Sequence, residues 1–279
     1  MIRGLTGFLG LSIACLASGS VHAGCGPDPA PCPVTDGEYH IELPDAPGPH
    51  PVVMHLHGAG SNGANVMRNG DLVTSLTARG YAVIAPSARS RPGSRLRGVW
   101  NFYPGWEGRN DPRFLNTVIA DAAPRFDLDP ERVLLSGFSA GGFMVSYLAC
   151  DTPQAFAAYA PVAGGFWRPH PQECSGPVKL FQTHGWRDMT VPLEGRPLGG
   201  GRFLQGDIFA GMEIWRIAND CPDMRPDAFA QTGIFMRRSW TDCDPQSALQ
   251  FALFPGGHSV PDGWADMVLD WFEAEIAAD

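Results

Sequence analysis

The sequence has very little lysine. Lys179 is its single lysine, so nearly all of the 20 basic residues are arginines, and the 29 acidic residues give a formal net charge of −9. This net negative charge argues against a nucleic-acid partner, and we expect none. The arginine-rich segment 89–97 is locally basic. It is expected to be a solvated loop rather than a patch for an anionic substrate.

The sequence also lacks an uninterrupted apolar run that predicts a membrane span. Residues 1–23 combine one early arginine, a short apolar stretch broken by glycine and serine, and a small-residue ending. This pattern is typical of a secretory signal peptide, so we expect cleavage near Ala23 and a secreted protein, extracellular or periplasmic. No repeat, coiled coil or long linker divides the remainder. Residues 24–279 are therefore predicted to form a single catalytic domain.

Cysteines are few but even in number once the predicted signal peptide is removed. Cys15 lies in that peptide, and the other six of the seven cysteines follow it. An even number in an exported chain indicates disulfides. Many pairings are open, and neighbours in the sequence suggest these three: Cys25–Cys32, Cys150–Cys174 and Cys221–Cys243.

Short apolar runs alternate with helix-like segments along the chain. Several runs are apolar at both odd and even positions, as strands buried on both faces must be. The alternation predicts an α/β fold, with a mostly parallel sheet and helices on both faces. The predicted strands are 51–58, 81–87, 132–137, 156–164, 178–185 and 249–257. The predicted helices are 63–79, 113–126, 140–150, 207–219 and 262–277.

The segment 132–142 reads RVLLSGFSAGG, with Ser139 between glycines at the end of an apolar run. A glycine-rich turn without chemistry is the simplest interpretation, because glycine and serine are common in turns. The spacing is also that of a G-x-S-x-G nucleophile elbow, which requires a strand before the serine and a helix after it. Both are predicted here. Ser139 is therefore the candidate nucleophile, and it needs a base and a group that orients the base.

The base and the acid are expected at later strand ends, in the order serine, acid, histidine. His258 follows the last predicted strand directly, and His184 would reverse that order. Asp188 follows the strand 178–185 and is the candidate acid, which would orient His258 and stabilise its charged form. The rival carboxylates fall in or beside a predicted helix: Asp207, Asp220 and Asp223.

Acyl transfer also needs two N–H donors for the developing oxyanion. The amide of Ala140 directly follows the nucleophile, and the loop after the first predicted strand offers the amide of Ala59. His55 and His57 lie on one face of that strand, but no third ligand is nearby, so we expect no metal and no cofactor. His57 is better interpreted as a residue that braces the loop.

Five motifs together resemble the family of polyhydroxybutyrate depolymerase-like and feruloyl esterases, which are secreted α/β-hydrolases. The similarity covers residues 34–279, and the motifs are LHGAGSNGANV, GFSAGGFMVSYLAC, FAAYAPVAGG, HGWRDMTVP and FPGGHSVP. The resemblance implies Ser139 as nucleophile, Asp188 as acid and His258 as base. It also implies cysteines after the nucleophile helix and before the last strand, which supports the disulfide expectation.

Two tryptophans are candidate substrate contacts. Trp186 stands where members of the family usually have a small or hydroxyl residue, and its indole is expected to line the cleft. Trp100 belongs to the segment 88–112, which is rich in aromatic residues and precedes the nucleophile strand. Its aromatic side chains are expected either to wall an acyl site or to pack the loop onto the body: Trp100, Phe102, Tyr103 and Trp106.

These features predict a serine carboxylic-ester hydrolase. A polyester depolymerase is the alternative, and a prolyl-type peptidase or a non-catalytic binding protein on the same fold is further from the pattern. The chain continues for only about twenty residues after His258, without a second module to hold it on a polymer particle. Short soluble aryl or hydroxyalkanoate oligomer esters are therefore the expected substrates. The oligomeric state is not predicted.

Overall fold

The computed structural model of the 279-residue chain describes residues 24–90, 92 and 97–277. The predicted signal peptide, residues 1–23, and part of the arginine-rich segment lie outside the described residues. The helices, α1 to α6 in chain order, are Gly63–Met67, Gly70–Ala78, Asp111–Phe126, Ala140–Asp151, Ile208–Ala218 and Trp264–Ala277. One 3-10 turn spans Gly199–Gly201.

Thirteen strands are found among the described residues, and ten of them form one sheet. The first seven, β1 to β7, are Cys32–Val34, Gly37–Glu42, His50–Leu56, Ala82–Pro86, Leu128–Phe138, Ala158–Val162 and Trp167–Arg168. The other six, β8 to β13, are Lys179–Gly185, Pro197–Leu198, Phe203–Gln205, Ala228–Thr232, Phe235–Trp240 and Ala248–Phe254. A small second sheet holds the strands in the order β7-β10-β9.

The large sheet has the order β1-β2-β4-β3-β5-β6-β8-β13-β12-β11. Its six central strands, from β4 to β13, run parallel to one another. They are the six strands predicted from the sequence, and the predicted α/β-hydrolase fold class is confirmed. The antiparallel strands at both edges were not predicted. They are short or rich in polar residues, so they lack the apolar runs that marked the centre.

Helices cover both faces of this sheet, as the alternation predicts. Phe114 of α3, Phe143 of α4 and Met212 of α5 belong to the core on one face. Leu72 of α2 and Trp271 of α6 belong to the core on the other face. Burying central strands between two helical layers explains why their apolar residues stand at both odd and even positions.

Four of the five predicted helices match single helices within a few residues, and the prediction 63–79 is wrong as one helix. The chain instead forms α1 and α2, separated at Arg68 and Asn69. Asn62 caps α1, since its side chain accepts a hydrogen bond from the amide of Asn65. Gly70 then begins α2, and glycine inside one continuous helix would have been unfavourable.

Three disulfides join the cysteines that are neighbours in the sequence: Cys25–Cys32, Cys150–Cys174 and Cys221–Cys243. The suggested pairings are thus the ones present. Among the described residues, none of the helices has both the length and the apolar character needed to span a bilayer.

Candidate active site

The carboxyl ends of four parallel strands bring the predicted site residues to one edge of the sheet. The loop holding Ala59 follows β3, and Ser139 follows β5. Asp188 follows β8, and His258 follows β13. In open parallel sheets this edge is where ligands bind, because the loops there converge while the strands hold them rigidly.

Ser139 occupies a strained turn between β5 and α4. Its backbone has φ 57° and ψ −115°, in the left-handed half of the map that side chains other than glycine rarely adopt. The amide of Ser139 donates to the carbonyl of Val162 at 2.9 Å, which fixes the turn against β6. Strain of this kind, held by the surrounding backbone, presents the hydroxyl above the sheet.

The two flanking glycines of the elbow are required by close packing. A Cβ on Gly137 would lie 2.6 Å from the carbonyl carbon of Gly141. A Cβ on Gly141 would lie 2.2 Å from the carbonyl oxygen of Leu56 on β3. Both distances are far below van der Waals contact, and both clashes are with backbone. The G-x-S-x-G spacing therefore follows from how closely α4 approaches the neighbouring strand.

His258 bridges the serine and the carboxylate. Its Nε2 lies 2.9 Å from the Oγ of Ser139, and its Nδ1 lies 2.7 Å from Oδ2 of Asp188. Nδ1–H donates to the carboxylate, so Nε2 carries the lone pair that faces the serine hydroxyl. The ring also packs against Phe138, with centroids 4.6 Å apart. This contact was not foreseen, although Phe138 is the variable position of the G-x-S-x-G motif.

Asp188 is fully buried and saturated with hydrogen bonds. Its Oδ1 accepts from the amides of Thr190 and Val191, each at 2.8 Å, while Oδ2 faces His258. Burial raises the pKa of Asp188, but the hydrogen bond from His258 and those from the two amides outweigh burial and hold the pKa below its usual range. The carboxylate is therefore ionised whenever His258 needs a negative partner.

His184 is a second histidine beside the same carboxylate, but it has no solvent access. Its Nε2 donates to the carbonyl of Val191 at 2.8 Å and lies 3.7 Å from Oδ2 of Asp188. Burial lowers the pKa of His184, so the ring is neutral and holds the acid loop in place. The chain-order argument that set His184 aside agrees with this position.

The two predicted oxyanion donors belong to backbone segments that adjoin Ser139. Ala140 begins α4, and the first amides of a helix have no partner within it. Gly58 is close to the serine, since a Cβ built on it would lie 3.4 Å from the Cβ of Ser139. The amide of Gly60 donates to carbonyls of residues 97 and 98, whereas the amide of Ala59 has no partner among the described residues.

His57 braces this loop, as its position predicted. Its Nδ1 donates to the carbonyl of Gly58 at 2.7 Å, and its Nε2 accepts from the amide of Ala88 at 2.9 Å. Burial lowers the pKa of His57 to about 4, so the ring is neutral at physiological pH. A neutral ring is the form that can donate and accept at once.

The prediction that Trp100 contacts substrate does not agree with its position. Trp100 has no exposed surface, and its Nε1 donates to the carbonyl of His57 at 2.9 Å. Its ring lies 5.1 Å from that of His57. Trp100 therefore stabilises the loop that holds Ala59 through its hydrogen bond to the His57 carbonyl. Sequence reasoning recognised the aromatic residue but could not see that its N–H would be used inside the protein.

The neighbouring aromatic residues mostly pack the loop onto the body. Phe102 stacks on Phe143 of α4 at 5.4 Å and meets Trp167 edge-on at 5.2 Å. By contrast, Trp186 is 40% exposed and Met189 is 82% exposed on either side of the acid loop. Trp186 is therefore accessible beside the site, as expected for a cleft residue, and Met189 is an apolar neighbour that was not foreseen.

No group of three or more metal-ligating side chains suited to hold a metal ion is found in the described part of the chain. His55, the second member of the histidine pair, is buried and lies 3.2 Å from the Oγ of Ser136 through its Nδ1. Together the site offers a polarised hydroxyl, a base, a buried carboxylate and free amides. This arrangement is suited to acyl transfer through a covalent intermediate.

Comparison with known sequences finds esterases. Residues 39–169 match the family described as Esterase PHB depolymerase. Feruloyl esterase C of Emericella nidulans is 28% identical over 261 residues, which cover 86% of this chain and 84% of that enzyme. Poly(3-hydroxyalkanoate) depolymerase C of Paucimonas lemoignei is 30% identical over 162 residues, covering 57% of this chain but only 36% of the depolymerase.

Solved structures agree on the fold. An acetyl xylan esterase from Aspergillus awamori has a TM-score of 0.59 at 16% identity, over 86% of this chain and 94% of that chain. A Bacillus cereus carboxylesterase has a TM-score of 0.57 at 13% identity, over 86% and 95%. With the sequence relatives, these findings show an ester hydrolase of the α/β-hydrolase fold that is similar to the Esterase PHB depolymerase family over less than half of its length.

Proposed function

We propose that the chain hydrolyses carboxylic esters with Ser139 as nucleophile, His258 as general base and acid, and Asp188 as the residue that orients His258. The observation that carries the proposal is the continuous hydrogen-bond chain from the Oγ of Ser139 through His258 to Asp188, at 2.9 and 2.7 Å. A serine hydroxyl alone is a weak nucleophile, and the contact with His258 provides a base that accepts its proton.

The reaction follows from these contacts. Ser139 attacks the ester carbonyl while its proton passes to Nε2 of His258, and Asp188 stabilises the resulting imidazolium. The amides of Ala59 and Ala140 donate to the oxyanion that forms. The imidazolium then protonates the leaving alcohol. A water molecule then attacks the acyl carbonyl while His258 takes its proton, and the imidazolium returns that proton to the Oγ of Ser139 as the acyl bond breaks and the acid leaves.

We further propose that the substrates are short soluble esters of aryl acids such as ferulate, or of hydroxyalkanoate oligomers. Feruloyl esterase C supports this choice, because its similarity extends over most of both chains. The exposed indole of Trp186 and the exposed Met189 supply apolar surface beside the acid loop. Such surface suits an aromatic or short aliphatic acyl group.

The test is a substrate panel on one purified preparation. Methyl ferulate, p-nitrophenyl butyrate, soluble hydroxybutyrate oligomers, polyhydroxybutyrate granules and a prolyl peptide anilide would be compared at matched bond concentration. We expect the aryl or oligomer esters to be hydrolysed at least a hundred-fold faster than the granules, and no release from the anilide. Activity of Ser139→Ala under the same conditions is the background.

A polyester depolymerase is the second candidate function. The family description and the depolymerase of Paucimonas lemoignei favour it, and the exposed apolar side chains beside the site are compatible with a polymer chain. Equal or faster acid release from the granules than from the soluble oligomers would select this function. Release of aniline product from the anilide alone would indicate a peptidase. Binding of the esters without any turnover would indicate a non-catalytic binding protein.

We propose that the protein acts outside the cytoplasm. Its three disulfides support this, since disulfides form and persist in oxidising compartments. Fractionation of the native host with thiol counting tests the location. We expect the protein outside the cytoplasm with no free thiol. A reduced cytoplasmic pool would contradict the proposal.

A further inference from the structure

A second groove lies at the edge of the sheet, between α5 and the strands β12 and β13. Its volume is about 460 Å³, within the usual range for small-molecule sites of roughly 300–1,000 Å³. The three proposed catalytic residues do not line it. Its apolar wall consists of Phe209, Met212, Met224, Trp240 and Phe251.

Two arginines and the indole of Trp240 line this groove. The guanidinium carbon of Arg216, on α5, lies 5.5 Å from the centre of the Trp240 ring. Arg238 stands two residues before Trp240 on β12, so both side chains are on the same face of the strand. The helix and the strand thus each bring one cation to the same aromatic wall.

Both arginines have buried N–H groups without a partner. The Nε of Arg216 and the Nη1 of Arg238 are out of contact with solvent and make no hydrogen bond within the described residues. A buried donor without an acceptor is costly, and most proteins avoid it. Within the described residues, the chain itself therefore provides no acceptor for these two nitrogens.

The chain treats a purely structural arginine differently. Arg109 is also buried, but its Nε donates to Asp111 at 2.6 Å and its other nitrogens donate to the carbonyls of Asp36 and Ser87. Every nitrogen of that guanidinium is committed. Arg109 shows that a buried arginine in this protein can have every donor used, although the Nε of Arg237, which does not line the groove, also lacks a partner within the described residues.

The acidic residues of the groove offset the two arginines only in part, because Glu213 attracts the Arg216 guanidinium while burial still lowers the pKa of Arg216. Asp207 and Glu213 also line it, but Asp207 caps α5 by accepting from the amide of Ala210 at 3.0 Å. Within the described residues, neither carboxylate forms an ion pair with Arg216 or Arg238. The groove thus combines aromatic and thioether walls with unpaired guanidinium donors.

We propose that this groove binds an organic carboxylate with an apolar or aromatic body, with the carboxylate on Arg216 and Arg238 and the body against Trp240 and Phe209. Guanidinium groups match carboxylates in geometry and hydrogen bond to them strongly. The acid released by the proposed ester hydrolysis belongs to this class, and the choice of ferulate as a probe rests on the proposed function. The proposal that the groove binds an organic carboxylate does not rest on the proposed function.

Calorimetric titration of ferulate tests the proposal on protein whose Ser139 has first been blocked with an organophosphate. Blocking removes binding at the ester site, and the mass of the adduct separately reports whether Ser139 reacts. We expect one ferulate bound per chain in the blocked protein. The neutral amide of ferulic acid, which has the same body without the charge, should bind at least tenfold more weakly.

The variants Arg216→Met and Arg238→Met should each weaken ferulate binding tenfold or more. Arg225→Met is the matched control, because the Arg225 side chain is 87% exposed beside Asp223, and it should leave binding unchanged. Arg238→Lys and the wall variant Phe209→Ala keep the proposal testable if a methionine variant folds poorly. The lysine loses the planar fork and Phe209 is already half exposed, so both should fold and both should weaken binding.

Three results would overturn the proposal. One is no ferulate binding to the blocked protein up to millimolar concentration. Another is equal binding by the arginine variants and by Arg225→Met. The third is sedimentation showing that a second copy of the chain covers the groove. If the organophosphate fails to label Ser139 while ferulate still binds through the arginines, the proposed function fails and the groove stands.

Discussion

The centre and one edge of the large sheet use their side chains in opposite ways. In the centre, β8 and residues 133–137 of β5 are largely buried on both faces, and the proposed reactive groups lie where these strands end. At the edge, four of the five residues of β11 are exposed, with Phe229 71% accessible, and β12 carries Arg238, whose Nη1 has no partner within the described residues. The centre of the sheet holds the proposed catalytic residues in fixed positions, while the edge leaves side chains available to contact a ligand.

The difference has a mechanical origin. A serine that must meet a base at 2.9 Å needs a backbone that cannot shift, and the contacts of Gly137 and Gly141 leave no free space around the turn. No such contact restrains Arg216 or Arg238. Changes at the edge are therefore expected to alter ligand binding without moving the triad, and changes in the centre to abolish chemistry.

The largest expected effect is at the centre. Ser139→Ala removes the nucleophile and should reduce kcat by about a million-fold, as for other triads that act as a unit. The measurement is steady-state hydrolysis of methyl ferulate or p-nitrophenyl butyrate. The edge variant Arg238→Met should stay within about twofold of wild type. A Ser139→Ala enzyme that retains a tenth of the activity contradicts the comparison.

Asp188→Asn tests the buried carboxylate. The amide cannot stabilise the His258 imidazolium and favours the wrong tautomer, so kcat should fall roughly ten-thousand-fold with little change in KM. Thermal unfolding of the same variant separates this loss from a folding defect. A decrease below tenfold in a folded variant would mean that Asp188 does not orient His258.

The centre should also be sensitive to acid. Burial lowers the pKa of His55 and of His57 from 6.5 to about 4. Between these values the unfolded chain binds protons that the native state does not, so stability is full above pH 6.5 and decreases as the pH falls toward 4. Each of the two histidines should lower the free energy of unfolding by up to about 3 kcal/mol at the acid end of this range. Urea unfolding at pH 7, 5.5 and 4.5 measures the free energy of unfolding at each pH. A value that stays constant over this range would contradict the predicted loss of stability in acid.

At the edge, the disulfide Cys221–Cys243 closes a loop with a sequence separation of 22. Replacing both cysteines with serine should lower the unfolding free energy by about 3 kcal/mol on the chain-entropy model. Activity per folded molecule should change less than twofold, because the loop does not contact the triad. Loss of activity at unchanged stability would show that edge and centre are coupled.

The centre was also the part that the sequence could predict. Buried parallel strands need apolar residues on both faces, so all six appeared as runs, and the strand ends then located Ser139, Asp188 and His258. The distances now found among these three support their predicted roles, which stay predictions until activity is measured. The disulfide pairs were open by sequence because pairing depends on three-dimensional proximity.

The edge could not be predicted in the same way. The β12 segment FMRRSW carries two adjacent arginines, so it has no apolar run in the sequence. The proposed role of Arg238 depends on α5, which brings Arg216 to Trp240. Trp100 was misassigned for a related reason. Whether an indole lines a cleft or donates to a buried carbonyl depends on loop packing, which local sequence does not encode.

The most direct test of the central claim is to trap the acyl-enzyme. A slow aryl ester would be mixed with the enzyme, quenched in acid within milliseconds and digested for mass spectrometry. We expect the acyl mass on the peptide that contains Ser139, forming and decaying at rates consistent with turnover, and absent from Ser139→Ala. Acyl transfer to another residue, or full turnover with no covalent intermediate on Ser139, would contradict the account.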